Sequence, residues 1–309
     1  MSRGVPSAEE SVSDLVDGVR APDERFAARA RAHLDTLTKP PGSLGRLEEL
    51  AVRVAVVQRT TRPDVRGKAV VVFAGDHGVV EQGVSPYPQG VTEQMVRNFA
   101  AGGAAVNQLA GWCGAKVVVV DVGVAGDTGD IDGVVQSKVR RGTGDMTRGP
   151  AMSREEAAAA FMAGAGAVSA IAEDGVRLIG LGEMGIGNTT AAASVAACLL
   201  SLDPAEVVGP GTGLEPEGVA RKTAVVRTAL AVNRPDRSDP LRVLAEVGGL
   251  ELAAVAGAVV GGAAAGVSIC VDGYIAGAAG LAALRLCPEA RGYVLPSHLS
   301  AEPGHAAVL

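Results

Sequence analysis

The chain has 309 residues, 48% hydrophobic and 20% charged, enough apolar material for one large or two small cores and too little charge for wholesale disorder. Its 28 basic and 34 acidic residues leave a net charge of −6, which argues against a general nucleic-acid binder, because that function needs a basic face for phosphates. Aromatic residues are only 3%, which argues against a base-stacking platform, and 42 glycines, about twice the usual share, predict backbones packed close together.

Residues 1–24 read as a loose leader into a helix. Arg25 to Leu37 has helical periodicity and stops at Lys39-Pro40-Pro41-Gly42, where proline removes a donor and disfavours helix before it. Ser43 reads as the N-cap of a helix from Leu44 to Val57. The character changes at Lys68. Ala69 to Ala74 is a continuous apolar run of strand length, ending in Gly75-Asp76-His77-Gly78. Similar runs, Lys116 to Val120, Val176 to Gly180 and Val267 to Val271, also end in Gly- and Asp-bearing loops. Continuous rather than alternating runs suit strands buried on both faces, as in a parallel sheet. Helices are predicted between them: Thr92 to Trp112, Ser153 to Glu173, Thr189 to Leu202, Pro216 to Val232 and Leu241 to Ala265. Alternating strands and helices predict an α/β fold with a parallel sheet, whose ligands sit beyond the carboxyl ends of the strands.

Cys113, Cys198, Cys270 and Cys287 include no C-x-x-C pair and read as free, buried thiols of a reducing cytoplasm. The polar, acidic first ten residues do not read as a signal peptide. Leu252 to Val271 is uncharged and long enough to span a bilayer, but so rich in Gly and Ala that a buried helix running into a buried strand is the better reading. The four histidines are too scattered for a metal motif, and no cofactor is expected. No pair of adjacent acids stands on an apolar strand to grip a magnesium-diphosphate donor.

The most informative segment runs from Gly180 to Thr190. Gly180, Gly182 and Gly185 match G-x-G-x-x-G between a predicted strand and a predicted helix, where amides and a positive helix end can receive a phosphate. Asn188 reads as the N-cap, and Thr189 and Thr190 add hydroxyls. The alternative is a plain strand-to-helix turn. Asp203 has the spacing of a dinucleotide-binding acid, but it follows a helix and precedes Pro204, which weakens a dinucleotide reading. Glu183 inside this apolar turn is costly to bury without a role; burial would raise its pKa and favour proton transfer near neutrality. Capping of a neighbouring amide is its bland alternative. A second turn, Gly209 to Leu214, precedes a helix carrying Arg221 and Lys222; it supplies amides and a cation for the same anion, or is a solvated loop.

Several motifs in order carry a resemblance to a family. These are Lys39-Pro40-Pro41-Gly42-Ser43-Leu44-Gly45-Arg46-Leu47-Glu48, Ala74-Gly75-Asp76-His77-Gly78-Val79, Val84-Ser85-Pro86-Tyr87-Pro88, Gly182 to Thr190, Val247-Gly248-Gly249, Asp272-Gly273, Pro296-Ser297-His298 and Ser300-Ala301-Glu302. The chain resembles the nicotinate-nucleotide–dimethylbenzimidazole phosphoribosyltransferases of cobalamin lower-ligand synthesis. The resemblance implies a Rossmann-like α/β domain over residues 67–296 and a smaller helical domain built from both chain ends, residues 1–66 and 297–309. It implies a homodimer and no metal. The implied reaction moves phosphoribose from nicotinate mononucleotide to dimethylbenzimidazole with anomeric inversion. By resemblance, Ser85, Met184 and Gly185 line the base pocket, with Glu183 beside the reacting groups. Gly187, Asn188, Thr189, Thr190, Gly211, Thr212, Gly213 and Lys222 hold the phosphoribosyl part, and Ser297 and His298 border the nucleotide. The family assigns its base to a later glutamate, in a Gly-Glu-Gly-Ser-Gly segment past His305. This sequence stops at Leu309, before it, so a truncated chain in which Glu183 serves alone is one expectation. A binding-only homologue, or a relative that ribosylates another acceptor, are the alternatives.

Overall fold

The computed structural model describes residues 6–309. Within the loose leader expected over residues 1–24 lies a helix, α1 (Ala8–Gly18); residues 1–5 lie outside the described range. Its start was written in the sequence as a capping box: Ser7 Oγ accepts from the Glu10 amide at 3.2 Å, and Glu10 accepts from the Ser7 amide at 2.8 Å. Two further helices follow, α2 (Arg25–Asp35) and α3 (Arg46–Val57). The N-cap of α3 is Gly45 rather than Ser43, because Pro40 to Gly45 turns once more before the helix starts. α2 and α3 share a small core of Ala27, Ala30, Val52, Ala55 and Val56, whereas Val12 and Val19 of the first segment join the main core.

The α/β expectation holds. After β1 (Lys68–Gly75) come α4 (Val91–Ala100), α5 (Ala105–Cys113), β2 (Lys116–Gly123), β3 (Val134–Gln136), α6 (Arg154–Glu173) and β4 (Leu178–Met184). Then follow α7 (Asn188–Leu200), α8 (Pro204–Val207), α9 (Pro216–Asn233), α10 (Pro240–Val247) and α11 (Leu250–Ala264). β5 (Ser268–Val271), α12 (Tyr274–Leu286), β6 (Val294–Pro296) and α13 (His305–Val308) complete the order. Two expected helices are each split by a glycine pair. Thr92 to Trp112 breaks around Gly102-Gly103 into α4 and α5, and Leu241 to Ala265 breaks at Gly248-Gly249 into α10 and α11. The uncharged stretch from Leu252 is the rest of α11 followed by β5, as expected; among the described residues no helix is long and apolar enough to cross a membrane.

All strands pair in parallel, in the order β3-β2-β1-β4-β5-β6. The direction of winding therefore reverses between β1 and β4, and the carboxyl ends of those two strands form the crevice where such sheets bind ligands. The two faces are covered unequally. Ala69, Val71 and Phe73 of β1 enter a large core with α6, α11 and α12, while Val72 and Ala74 enter a smaller one with Val96 and Phe99 of α4.

The glycine content has a packing cause in the large core. α6 and α11 cross so closely that a Cβ at Gly164 would strike the Ala254 carbonyl oxygen, and one at Gly257 would strike that of Phe161. The obstacle in each case is backbone, which cannot swing aside. Gly257→Ala is therefore expected to destabilise the fold by about 1–3 kcal/mol or more through overpacking, read as a lower denaturant midpoint.

Candidate active site

β4 and the turn after it carry the glycine-rich segment to the crevice. Gly180 and Gly182 point from the strand itself, which corrects their expected place in a phosphate turn: the strand extends to Met184, four residues beyond the predicted end. The turn proper is Gly185 to Gly187. Gly187 adopts φ 96° and is the N-cap of α7, so Asn188 is the first helical residue rather than the cap. That shift frees the Asn188 side chain, whose Nδ2 donates to Glu183 Oε2.

Beside this turn lies a cavity of about 310 Å³. Val70 and Val72 of β1, Phe99 of α4, Val106 of α5 and the bare backbone of Gly180 and Gly182 make it apolar. Glu183, Cys270, Asp272 and Ser297 supply its polar rim. The Glu183 carboxyl is pushed up to about 8, first by burial, then by the negative charges of Glu251 and Asp272; the Asn188 hydrogen bond opposes them. A larger groove of about 810 Å³ lies between α2, α3 and the turn at residues 288–293, lined by intermixed arginines and glutamates. It lies away from the strand ends and gathers none of the residues above.

The next residue of α7 joins a second cluster. Lys222 of α9 is buried, and its Nζ donates to Thr189 Oγ1 at 2.7 Å and to the Gly209 carbonyl at 3.2 Å. Burial lowers the Lys222 ammonium to about 8, against the Glu302 carboxylate, which raises it. Gly211 lies against both, since a Cβ there would be 3.1 Å from Thr189 Oγ1 and 3.3 Å from Lys222 Nζ. The Gly211 amide is engaged by Glu302 Oε1 at 2.9 Å. Thr190 Oγ1 is buried without a partner among the described residues. The first turn of α7 thus bridges a carboxylate at an apolar cavity and a buried cation, through adjacent side chains.

Other expected residues fall less close. Thr212 and Gly213 are exposed at the tip of the 209–214 turn. Ser297 lines the cavity and contacts the Asp272 carbonyl at 3.1 Å and His298 Nδ1 at 2.7 Å. Met184 packs on the Val72–Phe99 core behind the cavity. Ser85 does not reach the cavity wall: it sits in the loop before α4 and accepts from the Tyr87 amide at 3.1 Å. Of the thiols expected to be buried, Cys113 is exposed at the end of α5 and Cys198 and Cys270 are half-buried; all four are unpaired. A dinucleotide-binding role loses its acid too. Asp203 caps α8 and pairs with Arg227 at 2.7 Å, and Asp121 at the end of β2 is consumed by its own loop, accepting from Thr128 and from Lys138 at 2.8 Å.

Known proteins resemble this chain over most of its length. A phosphoribosyltransferase family model matches residues 19–309. The nicotinate-nucleotide–dimethylbenzimidazole phosphoribosyltransferase of Geobacter metallireducens is 47% identical over 298 residues, covering 96% of this chain and 84% of that protein. The chain belongs to this phosphoribosyltransferase family. The Desulforudis audaxviator member is 49% identical over 287 residues, 93% of this chain and 81% of its own. The crystal structure of the Thermus thermophilus enzyme superposes with a TM-score of 0.87 at 48% identity, covering 93% of this chain and 85% of that one.

Two members of the site were not recognised as such from sequence. Glu251 and His77, 174 positions apart, form a buried pair beneath the turn, His77 Nε2 to Glu251 Oε1 at 2.6 Å. The signal for Glu251 was its position as a lone acid at the head of an uncharged helix. Glu302 was seen only as part of a motif, and its contact with Gly211 joins segments about ninety residues apart.

Proposed function

We propose that the chain transfers phosphoribose from nicotinate mononucleotide to dimethylbenzimidazole, giving nicotinate and α-ribazole 5′-phosphate with inversion at the anomeric carbon, in cobalamin nucleotide-loop assembly. The observation that carries this reading is the first turn of α7, which sets Asn188 on Glu183 and Thr189 on Lys222. One helix end thereby spaces a proton acceptor beside an apolar slot from a cation for a phosphate. The benzimidazole occupies the cavity over Gly180 and Gly182, its flat apolar rings against Val70, Val72 and Phe99. The phosphate lies by Lys222, Thr189 and the α7 amides, where a helix N-terminus favours an anion.

The pyridinium nitrogen of the nucleotide makes nicotinate a good leaving group. One benzimidazole nitrogen attacks the anomeric carbon as the bond to nicotinate breaks, and that electron pair returns to the pyridine ring. Glu183 takes the proton from the other benzimidazole nitrogen. A carboxylate held near pH 8 is ionised in only part of the population at neutrality, but it is a stronger base than an ordinary glutamate. Positioning supplies the rest of the acceleration. Four unpaired cysteines suit a reducing compartment, and the reading includes a cytoplasmic homodimer, which sedimentation at micromolar concentration tests.

The deciding experiment incubates the purified chain with both substrates and separates the products by chromatography. Stoichiometric nicotinate and α-ribazole phosphate support the reading; bound nucleotide without nicotinate release overturns it. The phosphate assignment has its own signature. A lysine lowered to about 8 is partly neutral at pH 8.5, and an adjacent phosphate restores its charge. Nucleotide binding at that pH is expected to take up a proton, measured by calorimetry in buffers of different ionisation enthalpy, and Lys222→Met is expected to abolish the uptake.

A further inference from the structure

The buried His77–Glu251 pair has no place in the reaction as written, yet the site is built around it. Both side chains are buried, and four glycines wrap them. A Cβ at Gly185 would lie 3.2 Å from His77 Nε2, one at Gly249 2.7 Å from Glu251 Oε2, and one at Gly75 3.0 Å from the same oxygen. Gly187 packs on the His77 Cβ in the same way, at 3.3 Å. The imidazole therefore supports the backbone of the turn that ends in Asn188. Glu251 Oε2 has no hydrogen-bond partner among the described residues, so only one of its oxygens is held.

We propose that His77 and Glu251 are a positioning pair for Glu183: His77 braces the 185–187 turn that delivers Asn188, and Glu251 sets a fixed carboxylate facing the base. This rests on Glu183 as the base of the proposed reaction. The charged groups around the pair form a chain across the strand ends. Asp76, whose Oδ2 accepts from the Ala125 amide at 2.8 Å, faces His77 from the end of β1. Glu251 of α11 is bonded to His77, Asp272 after β5 lines the same cavity as Glu183, the charges of both act on Glu183, and Asn188 of α7 donates to it. Burial alone would lower the His77 imidazole, but Glu251 and Asp76 override it and hold it above its ordinary value. The carboxylate of the pair thus acts both on His77, which it hydrogen-bonds, and on Glu183, whose carboxyl it pushes up.

The two residues make opposite predictions. Glu251→Gln removes the facing carboxylate and should lower the midpoint at which Glu183 ionises. His77→Gln leaves that carboxylate uncompensated and loosens the turn behind Asn188, and both effects should raise it. The measurement is a carbon-13 NMR titration of the glutamate-labelled protein without substrate, the Glu183 signal being the one lost in Glu183→Gln. The expected shifts are about one pH unit or more each way, a tenfold change in the ionised fraction. In turnover, the acid limb of the kcat profile should follow the midpoint while the nucleotide KM stays near wild type. A purely structural pair would move both variants in the same direction or neither, and that result overturns the proposal. If Glu251→Gln does not fold, the upward shift in His77→Gln decides alone. Because the titration needs no turnover, a chain that releases no nicotinate would sink the reaction while leaving this test intact.

Discussion

Glu183→Gln is expected to slow nicotinate release by about 10²–10⁴-fold, the usual effect of losing a general base, with little change in nucleotide affinity. The amide keeps the shape of the side chain and an oxygen to accept from Asn188 Nδ2, so the turn should stay in place. What it loses is a group that can take a proton. Stability gives an independent reading of the same residue. Its carboxyl lies near 8 in the folded chain against an ordinary 4.5, so the folded state binds that proton more tightly than the unfolded one. The contribution of Glu183 to stability therefore declines as pH rises from about 4.5 to about 8, and levels off above. Glutamine has no such decline. The variant should gain in melting temperature relative to wild type across that window, and the gap should then hold constant. A variant that loses turnover and nucleotide affinity equally, with no pH-dependent gap in melting, would make Glu183 a structural residue.

The sheet was legible because its central strands are buried on both faces. Ala69 to Ala74 and Lys116 to Val120 are near-unbroken runs of valine and alanine, and such runs have few other places to go. β3 and β6 were not legible: each has three residues at a sheet edge, too short to establish a period. Helix breaks were missed where the sequence stayed apolar through a glycine pair, as at Gly248-Gly249, since hydrophobicity cannot show a change of direction. In the site, the segment from Gly180 to Thr190 stood out by its glycine spacing between a strand and a helix and by a carboxylate among those glycines. Its Lys222 partner drew a binding role beside the 209–214 turn. The lone acid Glu251 and the His77 motif each left a local trace, but their contact did not, because it joins positions 174 apart. Ser85 shows the converse: a motif near in sequence to β1 whose loop carries it off the cavity wall.

Gly182→Leu is expected to close the acceptor slot and leave the nucleotide site working. Gly182 lies in β4, where an extended backbone tolerates any side chain, and a Cβ built there meets nothing within 4 Å. The open space it would enter is the 310 Å³ cavity. A leucine would therefore fill the slot with apolar carbon that packs toward Val72 and Phe99, and burying it should hold or raise the melting temperature rather than lower it. The acceptor would lose its seat, and a displaced acceptor costs on the order of 10²-fold in rate even when it still binds. The expected result is a steep rise in the KM for dimethylbenzimidazole, with calorimetric affinity for nicotinate mononucleotide unchanged. Gly180→Ala, whose added carbon would lie at an ordinary 3.6 Å from Val70, should have a smaller effect of the same sign. The contrast carries the inference: loss of acceptor binding without loss of stability or nucleotide affinity places the acceptor over the glycine floor of β4. An unchanged acceptor KM in a folded Gly182→Leu protein would remove the acceptor from this cavity, and with it the case for Glu183 as the residue that receives its proton.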